Sequence, residues 1–403
     1  MKNIFNSYKT SFSGLDRFIW LLSFVMLVNR AGSMVILFLS LYLTKELHFS
    51  LSQVGIVLGF YGVGSIAGSY LGGWLTDKYD YYRIMVYSLV SSGLILIALI
   101  FVKQFTGIII IVTLYSLLAD TFRPANSVAI NEFSDETNKT RSFSLMRMAV
   151  NLGFTIGPAI GGFIAVYAGY NFLFLIDSMT SLGAAALILI FIPRKIHATG
   201  KKEKIDPKDK GLSAYQDKVY LIFIALVSVY AICFFQLFTS LPLYFSKDLK
   251  LSEDTIGLIL AFNGALIVLV EMPLVHYLEK SGRIILNITI GCFLMVVSYL
   301  SLLPNTGSLL WPLTYMFFIT FSEIYAMPFM SNFAISRAAK DRQGQYMALY
   351  AIAYGLAHIL SPMLGLKLAD SIGFINMFLV VALLSLVLSL GFVFLKRNFP
   401  EIN

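Results

Sequence analysis

Leu41-Tyr42-Leu43-Thr44-Lys45-Glu46-Leu47 returns, 202 residues further on, as Leu243-Tyr244-Phe245-Ser246-Lys247-Asp248-Leu249. At the same offset Ser50, Val54, Gly55, Phe60 and Gly62 meet Ser252, Ile256, Gly257, Phe262 and Gly264, and Asp77-Lys78 meets Glu279-Lys280 without a gap. The period is half of the 403-residue chain. Two matched halves in a chain apolar enough for a membrane predict a two-lobed transporter with its substrate site between the lobes.

The apolarity is there. Hydrophobic residues make up 58% of the chain and charged residues 13%, against about 25% charged in soluble domains. The mean hydropathy is +0.79. Apolar runs cover 18–43, 54–75, 84–102, 107–130, 143–167 and 172–192 in the first half, and 219–245, 256–278, 284–303, 309–335, 346–368 and 374–395 in the second. Each is near or above the ~20 residues that cross hydrocarbon as a helix. None shows the short alternating pattern of a membrane barrel. The expected fold is therefore all-α, with twelve transmembrane helices in two six-helix bundles. The bundles are 1–192 and 219–403, joined by a Lys- and Asp-rich solvated linker at 193–218. The first apolar run is too long for a signal peptide and lacks a small-residue cleavage site, so it reads as the first span.

Lys and Arg set the orientation. With the N-terminus inside, 22 of them fall on the cytoplasmic side, among them Lys78, Arg83, Lys280, Arg283, Arg337 and eight in the linker. Only Lys45, Lys103, Lys247, Lys250 and Lys367 fall outside. That asymmetry predicts cytoplasmic termini. The formal net charge of +8 thus reports topology and contact with anionic lipid. Basic residues scattered over separate loops do not make a nucleic-acid surface. Short outer loops exclude a receptor ectodomain. No Walker loop, zinc triad or Ser/His/Asp set is present, so no enzyme activity, metal or cofactor is expected. Cys233 and Cys292 lie in the seventh and ninth spans without ligand spacing and read as small buried residues.

Three local patterns carry mechanism. The first is Gly73-Trp74-Leu75-Thr76-Asp77-Lys78 with Arg83, between spans two and three, echoed by Glu279-Lys280-Ser281-Gly282-Arg283. The second is Gly153-x-x-x-Gly157-Pro158-x-x-Gly161-Gly162 in span five. Small residues four apart let helix backbones approach, and neighbouring helices absorb the proline kink. The third is a set of ionisable side chains at membrane depth: Arg30, Asp120, Arg123, Asp177, Glu271, Glu323 and His358. A charge at the bilayer centre costs roughly 2.5–3.5 kcal/mol even on the lenient scale, so these must pair or face a cavity. Asp120 and Arg123, at i and i+3, share a helix face. Asp120 and Glu323 hold nearly matching places in the two halves, with Pro124 and Pro328 following. Glu271 lies nearer the cytoplasmic end and has a neighbouring partner as its alternative. His358 is either a proton carrier or a hydrogen-bonded histidine. Asp177 reads as lying near the outer end of a peripheral helix.

Over essentially its whole length the chain resembles the major facilitator superfamily. The 73–83 pattern is similar to that superfamily's cytoplasmic gate motif, with Asp80 where a glycine and Tyr81 where a basic residue would stand. The second copy has Val275 in the first glycine place. The resemblance implies that Gly73, Asp77, Lys78, Arg83, Glu279 and Arg283 help close the inward side. The span-five pattern resembles that of drug/proton antiporters, where it makes a bend and a leak-free contact with the other lobe. In this superfamily spans one, four, seven and ten line the central cavity, which would place Arg30, Asp120, Arg123 and Glu323 there. Burial favours a neutral carboxyl and a nearby Arg favours the ionised form, an arrangement suited to proton coupling.

A second resemblance is local. Arg30, Phe122-Arg123-Pro124 and Ser322-Glu323 with Pro328 are similar to motifs of proton-dependent oligopeptide transporters in spans one, four and ten. The two glutamates of that family's first-span motif are replaced here by Met26 and Asn29. The expected protein is a proton-coupled, monomeric antiporter of the bacterial-type cytoplasmic membrane, working by alternating access. Its partners would be small amphipathic substrates, protons and membrane lipids. A carrier of short peptides or other zwitterions is the alternative, and a lipid-handling or non-transporting protein on the same fold the third reading.

Overall fold

A computed structural model describes residues 14–135, 138–194, 212–279, 282–304, 308–339 and 342–399. Among these every regular element is an α-helix. The first half holds α1 (Arg17–Gly32), α2 (Val35–Lys45), α3 (Leu51–Lys78), α4 (Tyr81–Phe101), α5 (Phe105–Asp120), α6 (Phe122–Glu132), α7 (Lys139–Tyr167) and α8 (Tyr170–Phe191). The second holds α9 (Lys218–Phe234), α10 (Gln236–Lys247), α11 (Glu253–Glu279), α12 (Ile284–Leu300), α13 (Leu310–Ser336), α14 (Gln343–Ile372) and α15 (Phe374–Asn398). Eleven helical segments are long and apolar enough to cross a membrane, and Ile284–Leu300 adds a shorter apolar helix of 17 residues. Seventeen is the lower end of the spanning range. Most of the expected linker lies outside the described residues, as does Lys280.

Three of the long segments are built from two helices: Arg17–Lys45, Phe105–Glu132 and Lys218–Lys247. Each interruption has a local cause. After Gly32 the chain leaves helical geometry at Ser33, whose hydroxyl turns back to the carbonyl of Asn29 at 2.8 Å. At Thr121 the cause is Pro124, which has no N–H to offer the carbonyl of Asp120. At Phe235 the amide side chain of Gln236 donates to the carbonyls of Ile232, at 3.4 Å, and Ser361, at 2.9 Å. Ser33 and Phe235 stand one repeat apart, so the interruption belongs to the repeat.

The chain divides into two compact units, Met1–Phe38 with Val63–Thr199 and Leu39–Gly62 with Gly200–Asn403. The first has a core of Leu22, Val25 and Met26 from α1, Met85 and Leu89 from α4, Met146 from α7 and Ala184, Ala185 and Ile188 from α8. In the second unit the core is aromatic. Tyr220, Phe223, Tyr230, Tyr244, Tyr299 and Tyr315 are buried, and the hydroxyls of Tyr220, Tyr230, Tyr244 and Tyr299 find partners inside. Tyr299 donates to the carbonyl of Cys233 at 2.6 Å and Tyr220 to that of Tyr346 at 2.6 Å. Cys233 and Cys292 are free and buried. The outer face of α15 exposes Leu383, Val387, Leu390 and Phe394, as a helix turned toward hydrocarbon requires.

Glycines decide which helices touch in the first unit. A Cβ on Gly64, Gly68 or Gly72 of α3 would fall 2.0–2.6 Å from Ser116, Leu117 or Thr121. This stripe with a spacing of four lets α3 lie directly on the α5–α6 junction. Gly73 of the gate motif is not part of this stripe: among the described residues nothing lies within 4 Å of a Cβ placed there. Gly72, one residue earlier, faces the neighbour.

Candidate functional site

Asp120 ends α5 where the fourth span is interrupted, and it is 4% exposed. Arg123 reaches back along the same face, with Nε 3.0 Å from Asp120 Oδ1. Ser65, on α3, donates its hydroxyl to Asp120 Oδ2. Both carboxylate oxygens therefore have a partner, while the Arg123 side chain remains half exposed. A buried carboxylate held by one charge and one hydroxyl can switch partners if either is drawn away.

Glu323 lies half-buried in the middle of α13. Asn263 of α11 donates to Thr320 Oγ1 at 2.8 Å and approaches Glu323 Oε2 at 3.4 Å. Glu271 lies two turns further along α11 and is partly buried. Glu323 thus has an amide donor beside it inside the second unit. His358 of α14 is exposed and stacks on Phe235 at the seventh-span interruption, ring centroids 4.0 Å apart.

Arg30 closes α1 just before the break in span one, with its guanidinium 5.8 Å from the ring of Phe154. The span-five glycines seat this segment. A Cβ on Gly153 would come 2.5 Å from Arg30 Cβ, one on Gly157 3.2 Å from the carbonyl of Ala31, and one on Gly161 2.9 Å from Phe38. Gly162 is buried and Pro158 lies inside α7. In the first unit, then, this motif forms the bed on which the broken first span rests.

Asp177, in the first half of α8, is 1% exposed, and its Oδ2 accepts from the backbone N–H of Val35 at 3.4 Å. The signal was available: a lone Asp in an otherwise apolar run.

The gate motif gives a mixed picture. Lys78 extends α3 and lies over Trp74 at 4.9 Å, while Arg83, Glu279 and Arg283 are exposed. The side chain of Asp77 lies outside the described residues. What binds this loop is Asp80, in the place of the expected glycine. It caps α4 by accepting from Tyr82 N–H at 3.1 Å, and it forms an ion pair with Arg194 where the linker begins. Tyr81, in the place of a basic residue, is buried.

Sequence reasoning also missed the fastenings of segment 39–62 within the second unit. Lys45 Nζ meets Glu253 Oε1 at 2.7 Å, and Ser52 donates to Asp370 at 2.6 Å. Gly55, Gly59 and Gly62 press against Pro362, Met363 and His358 of α14.

The sequence profile of the Major Facilitator Superfamily matches residues 19–362. A Na(+), Li(+), K(+)/H(+) antiporter of Planococcus maritimus is 22% identical, covering 91% of this chain and 92% of that protein. Quinolone resistance protein NorA of Staphylococcus aureus (strain COL) is 22% identical, covering 86% and 88%. Among solved structures, a POT family transporter in complex with 5-aminolevulinic acid superposes with a TM-score of 0.81 at 17% identity, over 97% of this chain and 98% of that one. The first two likenesses run nearly the full length of both proteins, and the third speaks to fold alone.

Proposed function

We propose that this chain, which belongs to the Major Facilitator Superfamily, is a proton-coupled antiporter that exports small amphipathic or drug-like molecules by alternating access. The observation that carries the reading is Glu323, an acid held half-buried in an apolar span by the amide of Asn263. Such a group persists at membrane depth where its charge has work to do. Asp120, with Arg123 and Ser65 on its two oxygens, is the counterpart in the first half.

In this reading a substrate that displaces a partner of either carboxylate shifts its proton affinity, and the proton gradient then drives release. Proton flow in and substrate flow out are linked because one carboxylate cannot hold both. The antiporter and quinolone-resistance relatives favour this direction. We place the protein in the cytoplasmic membrane of a bacterium, with both termini inside on the Lys/Arg asymmetry of its loops.

A second reading is favoured by the distribution of charge. Arg30 and Arg123 belong to the first half, whereas the matching positions of the second carry Ile232 and Tyr325. Two cations in one half and Glu323 in the other suit a zwitterion such as a short peptide. A lipid-handling role on the same fold is the third.

Reconstitution into liposomes with an imposed pH gradient separates the three. Lipophilic organic cations, dipeptides and lysolipids are offered in turn to the wild-type protein. Gradient-driven movement of the cations is the expected result. Movement of dipeptides alone or lysolipids alone would replace the antiporter reading.

A further inference from the structure

α14 is exposed on two sides. On the first, Ile352, Leu356 and Met363, four and seven residues apart, expose large aliphatic side chains, the mark of a face turned to hydrocarbon. About 100° round the helix lies a second side made of Ala348, Ala351, Gly355 and His358, three and four residues apart. Here Ala348, Ala351 and His358 are exposed. From His358 onward this second side is covered, because Gly62, Gly59 and Gly55 of α3 press on His358, Ile359 and Pro362. In the turns before His358 the same side stays open at Ala348 and Ala351.

An exposed imidazole at membrane depth does not belong against lipid, where a polar group is costly. The second side therefore faces a wet space. It is edged by rings. Tyr354, half-buried, stands edge-on to Phe235 with centroids 6.1 Å apart. Phe235 stacks on His358 at 4.0 Å, with the planes 24° apart. Both ends of this edge are held from behind. Tyr350 donates its hydroxyl to that of Tyr354 at 3.3 Å. Gln236, next to Phe235 and 2% exposed, donates to the carbonyl of Ser361 at 2.9 Å. Beside the rings, two alanines and a glycine leave a floor without bulky side chains. A flat floor edged by pre-set rings selects by shape: a planar ring system can lie on it and stack, and a bulky aliphatic group cannot.

We propose that this side of α14 is a subsite for a planar aromatic ring of the transported molecule. The ring lies on Ala348, Ala351 and Gly355, against Tyr354, Phe235 and His358. The proposal rests on the export reading above and narrows its substrates, from amphipathic molecules in general to those that carry a flat, fused ring system. Tyr354 is the residue that discriminates between flat and bulky molecules. The subsite uses neither Asp120 nor Glu323, so ring selection and proton coupling can fail independently.

Equilibrium binding to the full-length protein in lipid discs, measured against protein-free discs, tests this with two monovalent cations. Ethidium is flat, whereas the four alkyl chains of tetrapentylammonium cannot lie flat. Wild type should prefer ethidium. Tyr354→Leu should lower that preference about threefold to tenfold, the range of one aromatic contact, and Tyr354→Phe should keep it. Ala351→Leu raises the floor at an exposed position and should lower the preference as well, which keeps the test decisive if Tyr354→Leu does not fold. No preference in wild type, or a preference that survives both Tyr354→Leu and Ala351→Leu, would overturn the proposal. The export reading is read out separately, by gradient-driven flux of tetrapentylammonium, which needs no ring.

Discussion

Arg337 grips Asp217 through two bonds, Nε to Oδ2 at 2.6 Å and Nη2 to Oδ1 at 2.9 Å. Tyr346 donates its hydroxyl to the same carboxylate at 2.9 Å, and Asp217 caps α9 by accepting from Tyr220 N–H at 3.1 Å. The carboxylate is 5% exposed and the arginine 22%. One acid thus fixes the start of the seventh span to the ends of α13 and α14. It stands where the linker re-enters the described structure, just as Asp80 and Arg194 pair where it leaves.

Asp217→Asn should destabilise the protein strongly, because it leaves Arg337 largely buried without its anion. Breaking a buried pair costs about 3–5 kcal/mol, and the partial exposure of Arg337 places the loss at or below the lower end. Burial pushes the Asp217 carboxyl up, but the Arg337 bond, the Tyr220 N–H, the Tyr346 hydroxyl and the Arg337 charge outweigh it and hold it below its usual range. A depressed acid stabilises at pH values above its unfolded value and loses that contribution as pH falls through the folded one. Thermal melts of wild type and Asp217→Asn should therefore differ most near neutrality and converge below about pH 4. A constant gap down to acid pH would refute the pairing as its cause.

Gly72→Ala and Gly73→Ala should separate cleanly. The first puts a methyl 2.6 Å from the backbone oxygen of Thr121, an overpacking that costs about 1–3 kcal/mol. The second meets nothing within 4 Å among the described residues and removes a helix-interior glycine, worth about 0.5–1 kcal/mol in favour. Melting of the purified variants should rank Gly73→Ala at or above wild type and Gly72→Ala below it.

Segment 39–62 is fastened to the second unit by a hydrogen bond that can be converted into a covalent tie. Cysteines at Ser52 and Asp370 should be joined by a short thiol-directed reagent, since the native contact is 2.6 Å. Cys233 and Cys292 are buried and should not compete. Rapid cross-linking of the double-cysteine protein, and none in either single-cysteine variant, is the expected result. Failure of the pair to cross-link would contradict the contact.

The Lys45–Glu253 pair should matter little to stability. Lys45 is 40% exposed, and such pairs contribute about 0–1 kcal/mol, screened by salt. Glu253→Gln should melt within that margin of wild type, with any difference shrinking at high ionic strength.

Much of the architecture was legible from the chain because hydrophobic length and the half-length repeat are one-dimensional signals. The pairing of Asp120 with Arg123 was legible too, since i and i+3 on a helix are neighbours whatever the tertiary fold. The broken spans were harder to read. Gly32-Ser33 and Pro124 are local cues, yet apolar length alone runs straight through them. The choice of Gly72 over Gly73 depends on helix rotation, which a stripe of small residues constrains only when Gly64, Gly68 and Gly72 are read together. Asp177, Asp217 and Asp80 could not be placed, because their partners Val35, Arg337 and Arg194 are more than a hundred residues away.

The central claim is that Glu323 carries a proton exchanged against substrate. It is tested most directly by comparing wild type with Glu323→Gln in liposomes, following a lipophilic organic cation with and without a pH gradient. Gradient-driven flux is expected in wild type and its loss in Glu323→Gln, with binding of the cation to the purified variant still measurable. Undiminished gradient-driven flux in Glu323→Gln would contradict it.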